Sequence, residues 1–179
     1  MTIYSYKLTT DNGSAPCIQN NKLSLAICKP KIRKTAKIND YLIGISANSM
    51  NLGGNKIIYI AKITEKILLQ DYYKLYSNRN DCIYNDKLCR IKNAKYHSCK
   101  DILIDLSGKY VLLSSDFIFF GSRNITVPNK LKDIVPQYQG HFSRKNIKFN
   151  KILPNLFIEL KNKYGNGKIG NHIHLIKTC

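Results

Sequence analysis

KIIYIAKITEKI, residues 56–67, is the strongest strand signal in the chain. β-Branched and aromatic residues fill this stretch, and such residues are enriched in strands because they pack well on a pleated, half-buried surface. Turn signals separate it from three earlier segments that also read as strands: IYSYKLTT (3–10), LSLAIC (23–28) and YLIGIS (41–46). The N-terminal third of the chain is therefore predicted to be a meander of short strands.

Helical spacing of apolar residues predicts a short helix over LLQDYYKLYSN (68–78) and a longer one over NKILPNLFIELKNKYG (150–165), which Gly165 ends. KYVLLSSDFIFFGS (109–122) is predicted to form two short strands split at Ser114–Ser115, after a long polar loop over residues 79–100. Strands joined by short helices and long connections favour an α+β fold around a small, bent β-sheet or barrel. A chain of 179 residues is expected to form a single domain, residues 1–179.

The charge of the chain is strongly positive. It has 29 Lys and Arg against 11 Asp and Glu, a formal net charge of +18 at pH 7. A compact domain that carries this much like charge repels itself, so a polyanionic partner, nucleotide or DNA, is the favoured interpretation. The alternative is that an AT-rich coding sequence supplies the lysines, which then serve only solubility.

The sequence excludes several other classes of function. No hydrophobic run is long enough to span a membrane and the N-terminus lacks the apolar core of a signal peptide, so a cytoplasmic protein with no membrane partner is expected. P-loop, Rossmann, HExxH and G-x-S-x-G motifs are absent, so ATP-driven, nicotinamide-dependent, zinc-peptidase and serine-hydrolase functions lose their usual support, and the cofactor stays unknown. The six cysteines show no CxxC pair and are expected to be reduced. Cys82, Cys89, His97 and Cys99 offer four metal ligands, but their spacing matches no known zinc pattern, so no metal site is predicted.

LAICKPKIRK, residues 25–34, joins an apolar strand to a dense group of cations. Arg33 carries a planar fork that matches phosphate, and Lys29 a mobile point charge, which predicts an anion-binding corner. The alternative is a basic surface turn in which Cys28 is a packing residue. A nucleophilic Cys28 would need a base, for which His97 or His141 are the candidates.

Other candidate residues lie in turns and strands. Asp11, in DNG, is either a turn former or a carboxylate that acts as a general base or reads the exocyclic amine of a nucleobase. His141 follows Gly140, which permits close approach of a ligand, and Arg144 follows with a further charge for phosphate. Strand tyrosines such as Tyr59 offer rings for base stacking, although core packing is their more frequent role.

The order of several motifs resembles the nucleotide modification associated domain family, second type. The motifs are D-x-G-x-A-P (11–16), C-K-P-x-I-R (28–33), N-D-Y-x-x-G (39–44), Y-I-A-K-I-T-E (59–65), F-F-G (119–121) and Q-G-H-F (139–142). The likeness covers roughly residues 3–145 and leaves a C-terminal helix and tail over 146–179. Asn39 stands where the family usually has Gly, and Gln139 stands where the family often has Arg.

The resemblance implies a role in making or reading modified bases in the DNA of phages and bacteria. It also implies likeness to PUA-like barrels such as the EVE and ASCH domains, which hold a flipped or modified base at an aromatic-lined mouth. On this basis the base is expected near Asp11, Asp40 and the strand tyrosines, and phosphate near Lys29, Arg33 and Arg144.

Three functions stay open at this point. The first is a domain that recognises a nucleotide or modified base. The second is an enzyme that modifies DNA bases in the same pocket with Asp11, Cys28 and His141 as catalytic groups. The third is a defence or anti-defence protein that sequesters a nucleotide signal and performs no chemistry.

Overall fold

The computed structural model describes residues 1–91, 99–137, 141–144 and 147–174, and these residues form two β-sheets with short helices around them. The strands are β1 (Ile3–Leu8), β2 (Cys17–Gln19), β3 (Lys22–Leu25), β4 (Tyr41–Ser46), β5 (Lys56–Lys62), β6 (Glu65–Leu68), β7 (Tyr110–Ser114), β8 (Asp116–Phe119), β9 (Ile125–Thr126), β10 (His141–Arg144) and β11 (Gly167–Lys168). The α-helices are α1 (Pro30–Thr35), α2 (Leu69–Tyr76), α3 (Ile102–Ser107) and α4 (Ile147–Tyr164). Short 3₁₀ turns lie at Asn48–Met50, Cys99–Asp101, Gly121–Arg123 and Asn129–Ile134.

The larger sheet has seven strands in the order β10-β1-β4-β5-β8-β11, with β9 paired to β5. β1 and β4 run parallel, whereas β4 pairs antiparallel with β5 and β5 with β8. The predicted meander over the N-terminal third is therefore wrong, because β2 and β3 leave for the smaller sheet before the chain returns as β4. The smaller sheet has four strands in the order β2-β3-β7-β6. The predicted α+β class is confirmed, and the described strands form bent sheets that do not close into a barrel.

The chain crosses between the two sheets at two adjacent corners. KIIYIAKITEKI breaks after Lys62, so that β5 belongs to the larger sheet and β6 to the smaller one. The predicted break at Ser114–Ser115 likewise separates β7 from β8. At the first corner the amide of Ile63 donates to Asp40 O and the amide of Thr64 to Leu113 O, so both turning residues keep backbone partners. At these two corners the strands turn from one sheet into the other.

Three apolar clusters fill the layers of the fold. One face of the larger sheet packs against α4 through residues such as Tyr41 and Phe157, and the opposite face holds Tyr6, Tyr59 and Phe119. A third cluster lies behind the smaller sheet, under α2 and α3. None of the described helices is long and apolar enough to cross a membrane.

Several local predictions are confirmed. Helix α2 lies within the predicted 68–78 segment, and α4 ends one residue before Gly165, whose φ of 87° is in the left-handed region that favours glycine. The stretch around LAICKPKIRK differs from the prediction. Its strand ends at Leu25 instead of Cys28, and the cationic residues after Pro30 form helix α1.

Candidate functional site

A pair of buried tyrosines lies at the centre of the candidate site. Tyr6 on β1 and Tyr59 on β5 have no exposed surface, and their hydroxyl oxygens are 2.6 Å apart. Burial raises the pKa of both phenols, so both stay protonated at neutral pH. One hydroxyl donates to the other. One hydroxyl hydrogen of the buried pair is therefore left without an acceptor among the described residues.

Gly44 allows the two tyrosines to meet. It lies on β4 between the two strands, in register with Tyr6 on one side and Tyr59 on the other. A β-carbon at position 44 would overlap the ring of Tyr59 and the side chain of Leu8. The missing side chain is therefore what leaves room for the rings above the strand.

Lys29 lies over the Tyr6 ring, with its Nζ 4.8 Å from the ring centroid. Its side chain is half-buried, and this burial lowers the pKa of its ammonium. Among the described residues no carboxylate or carbonyl accepts a hydrogen bond from Nζ. Its neighbours are the aromatic face of Tyr6 and Cys28, and the electrostatic interaction with Cys28 partly offsets the effect of burial on the pKa of Lys29. Cys28 also lies close to Tyr6 and adds to the raised pKa of that phenol, after burial and Tyr59.

The backbone that carries Cys28 and Lys29 is strained. The two residues have φ values of 58° and 43°, and two successive non-glycine residues in the left-handed region are unusual. The amide of Cys28 donates to Asp105 Oδ1 at 2.8 Å. Such strain persists only where surrounding contacts enforce it, and here a buried polar network supplies them.

Arg33 is the centre of that network. Its guanidinium has no exposed surface and donates to the carbonyls of Cys28 at 2.8 Å, Ala26 at 2.6 Å and Tyr110 at 3.0 Å, and also to the carbonyl of Asp105. Burial lowers the pKa of Arg33, and the carboxylate of Asp105 partly offsets this effect. In this structure the guanidinium of Arg33 therefore binds carbonyls of the protein's own backbone instead of facing the phosphate that the sequence predicted for it.

Asp11 forms a buried pair with His172 from the C-terminal tail. Its carboxylate has no exposed surface, and Oδ1 lies 2.6 Å from His172 Nδ1 while Oδ2 accepts from the amide of Ile173 at 3.1 Å. The backbone of Asp11 also forms two hydrogen bonds with His174. The amide of Asp11 donates to His174 Nδ1, and the carbonyl of Asp11 accepts from the amide of His174. The tail is thereby fixed to the turn after β1.

The Asp11–His172 pair adjoins the tyrosines. The charge of Asp11 contributes to raising the pKa of Tyr6, and the His172 ring contacts that of Phe119, 4.6 Å between centroids. Phe119 is in register with Tyr59 on the next strand. We call this group of six side chains the tyrosine cluster: Tyr6, Asp11, Cys28, Lys29, Tyr59 and His172.

The structure thus brings together four of the predicted site residues, Asp11, Cys28, Lys29 and Tyr59. Asp40 lies elsewhere, because it precedes β4 and so occupies the opposite end of the β1–β4 pair from Asp11. Six strand residues separate the two ends, roughly 20 Å. The Asp40 carboxylate accepts from the amides of Thr2 at 2.6 Å and Lys37 at 2.9 Å, so it fixes a turn.

Of the remaining predicted site residues, two have a known position on a strand and two lie outside the described part of the chain. Strand β10 pairs with β1 and places His141 opposite Tyr6 and Arg144 opposite Ile3 in register. His97 and Gly140 lie outside the described residues. Among the residues described, no group of three His, Cys, Asp or Glu side chains could hold a metal ion.

Sequence reasoning missed His172 and gave Tyr6 no particular role. His172 and His174 alternate along the tail, a pattern that by itself is typical of a solvated strand face and also compatible with two ligands of a shared metal. The structure instead gives each imidazole a bond to Asp11, more than 160 positions earlier in the chain. The only local signal was the presence of two histidines beside Asn and Gly in a tail with few other functional groups.

Searches of curated proteins and of solved structures found no match to the chain. The sequence profile described as nucleotide modification associated domain 2 matches residues 1–176, which is nearly the whole chain. This span includes the turn that holds Asp11, the strained Cys28–Lys29 corner and the histidines of the tail. The chain therefore belongs to the nucleotide modification associated domain 2 family.

Proposed function

We propose that this protein recognises a nucleotide or a modified nucleobase, alone or within DNA, at the tyrosine cluster, and that it serves a DNA modification system of a phage or bacterium. Membership of the family supports the connection with nucleotide modification. The formal charge of +18 supports an anionic partner, because phosphates neutralise the self-repulsion of such a chain.

Lys29 is the observation that carries this proposal. A cation that is half-buried loses part of its hydration, and an interaction with one aromatic face recovers only about 0.5–2 kcal/mol of that cost. Among the described residues no carboxylate pairs with this ammonium, and Cys28 is the neighbour whose electrostatic interaction favours its charge, so a formal negative charge is still missing. A ligand phosphate within reach of Nζ would supply it, and the strained backbone holds the lysine at this place over the Tyr6 ring.

The tyrosine pair supplies a second, neutral contact. Its remaining hydroxyl hydrogen is a donor in a dry environment, where an acceptor such as a base carbonyl or a phosphate oxygen is worth more than in water. His141 and Arg144 stay predicted ligand contacts. Strand β10 places His141 opposite Tyr6, whereas Arg144 lies three residues further along the strand, opposite Ile3.

Binding to nucleotides and to DNA tests the proposal. A panel of ordinary and modified nucleoside monophosphates and short oligonucleotides should bind in calorimetry, with DNA affinity falling by orders of magnitude between about 50 and 200 mM salt. Lys29→Ala should weaken binding by about 1.5–3 kcal/mol, the scale of a hydrogen bond to a charged group. Lys34→Ala, an exposed lysine of the same segment, is the matched control and should change little. Equal affinity of the two variants would refute the site.

A second candidate function is base modification in the same place. The Asp11–His172 pair favours it, because a carboxylate that fixes an imidazole is a common device for moving protons. Cys28 and His141 are the further predicted catalytic groups. Nucleoside analysis of DNA from cells that express the protein distinguishes the two: a new nucleoside indicates chemistry, whereas a bound nucleotide without new nucleosides indicates recognition.

A further inference from the structure

The two tail histidines have opposite hydrogen-bonding roles at their Nδ1 atoms. The amide of Asp11 donates to His174 Nδ1 at 3.0 Å, so this nitrogen is an acceptor. His172 Nδ1 faces the Asp11 carboxylate at 2.6 Å, and because a carboxylate only accepts, this nitrogen must carry a hydrogen. In the neutral form of the His172 ring, the lone pair that can accept a hydrogen bond is therefore on Nε2.

His172 is held in this orientation from several sides. Its side chain is only 7% exposed, and its ring lies between Phe119, 4.6 Å away, and Gly13, whose added β-carbon would be 3.5 Å from Nε2. Asp11 Oδ2 is occupied by the amide of Ile173, so the carboxylate cannot turn away from the ring. Among the described residues no donor reaches His172 Nε2.

We infer that His172 Nε2 is a hydrogen-bond acceptor for the ligand, that it accepts from the exocyclic amino group of an adenine or cytosine base, and that Asp11 is the residue that positions it. Adenine and cytosine match the cluster, because the Watson–Crick edge of each has one donor group, the amino group, and otherwise acceptors. Lys29 and the tyrosine pair supply donors and His172 supplies a single acceptor, whereas guanine would present two donor groups. This inference rests on the proposed function and adds the class of base that the site selects.

Asp11→Asn offers a sharp test because it changes the tautomer and little else. An asparagine oxygen can still accept from the amide of Ile173, while its NH₂ group donates to His172 Nδ1. The neutral ring then carries its hydrogen on Nε2, which becomes a donor. The acceptor for the amino group is thereby removed without loss of the side chain's shape.

The experiment compares two pairs of ligands at pH 8.5, where ordinary imidazoles are neutral. Adenosine monophosphate is compared with purine riboside monophosphate, and cytidine monophosphate with 2-pyrimidinone riboside monophosphate; in each pair the second ligand lacks only the amino group. The wild-type protein should bind the amino-bearing member of at least one pair about tenfold more tightly, since a lost partner leaves Nε2 unsatisfied. Asp11→Asn should bind both members equally.

Two further variants test whether the role of His172 is purely structural. His172→Phe keeps a ring against Phe119 and should abolish the discrimination, whereas His172→Gln offers a carbonyl acceptor and should restore part of it. Thermal unfolding of each variant shows that the fold is retained. Discrimination that persists in Asp11→Asn, or is absent from the wild type while Lys29→Ala still lowers affinity, would overturn this inference alone. Absence of nucleotide binding by the wild type would overturn the proposed function as well.

Discussion

The hydroxyl of Tyr6 reaches that of Tyr59, 2.6 Å away, across a strand that lies between them. The contact exists because that strand places glycine at the crossing point, so two rings from non-adjacent strands share the space above it. Lys29 then covers the Tyr6 ring, and Asp11 brings the C-terminal tail to the same place. The candidate site is thus assembled from four separate parts of the chain.

Gly44→Ala should destabilise the protein by about 1–3 kcal/mol, because an added methyl group in a packed interior forces the Tyr59 ring to move. For a chain of this length that corresponds to roughly 2–12 °C in melting temperature. Chemical denaturation measures the change. In a Tyr59→Leu background the same glycine substitution should cost less, since the overlapping ring is absent. Equal costs in both backgrounds would show that the ring does not set the requirement for glycine.

Arg33→Ala should lower the free energy of unfolding by about 3–5 kcal/mol, since several buried carbonyls and Asp105 lose their partner. Arg33→Lys should recover only part of this loss, because an ammonium cannot reproduce the geometry of the fork. Lys34→Ala, which changes an exposed side chain, should leave stability unchanged. Unaltered stability of Arg33→Ala together with weaker nucleotide binding would instead place Arg33 at the ligand.

The charge of Lys29 should make stability depend on pH in a defined direction. Burial lowers its pKa below the ordinary 10.5, so the folded protein releases this proton at a lower pH than the unfolded chain does. The unfolded chain therefore binds more protons in that window, and stability should rise with pH relative to Lys29→Met until about 10.5. Nucleotide affinity should fall over the same window as the cation is lost.

Denaturant unfolding at several pH values measures the free energy of unfolding of the wild type and of Lys29→Met. In the difference between the two proteins the contributions of the other titrating groups cancel. At neutral pH the methionine variant should be at least as stable as the wild type while it binds nucleotides less tightly. A difference that stays constant up to pH 10.5 would contradict the effect of burial on this lysine.

The cysteines should differ widely in reactivity. Cys17, Cys28, Cys82 and Cys89 are thiols in this structure, and burial raises the pKa of Cys17 to about 12 whereas Cys89 is exposed. The thiolate is the reactive form, so iodoacetamide should modify Cys89 well before Cys17 in the folded protein. Peptide mass spectrometry measures both rates. In urea the two rates should converge, and equal rates in the folded protein would show that Cys17 is accessible.

The segments that sequence predicted well are those in which local chemistry decides the structure. Alternation of side chains predicted β1 and β4, the serine pair predicted the break between β7 and β8, and Gly165 predicted the end of α4. Asn39 adopts a φ of 71°, in the left-handed region that asparagine tolerates better than most other residues. Each of these features depends on neighbours within a few residues.

By itself the sequence determined the α+β class, the family and the approximate positions of several strands and two helices, because hydrophobic periodicity and turn residues act over short separations. Only the tertiary structure decided which charged groups face inward. Arg33 is as basic as its neighbours in sequence, yet carbonyls from Ala26 and Tyr110 take its donors. His172 meets Asp11 across almost the whole chain. Such contacts follow from where the strands place distant residues, and no local pattern encodes that placement.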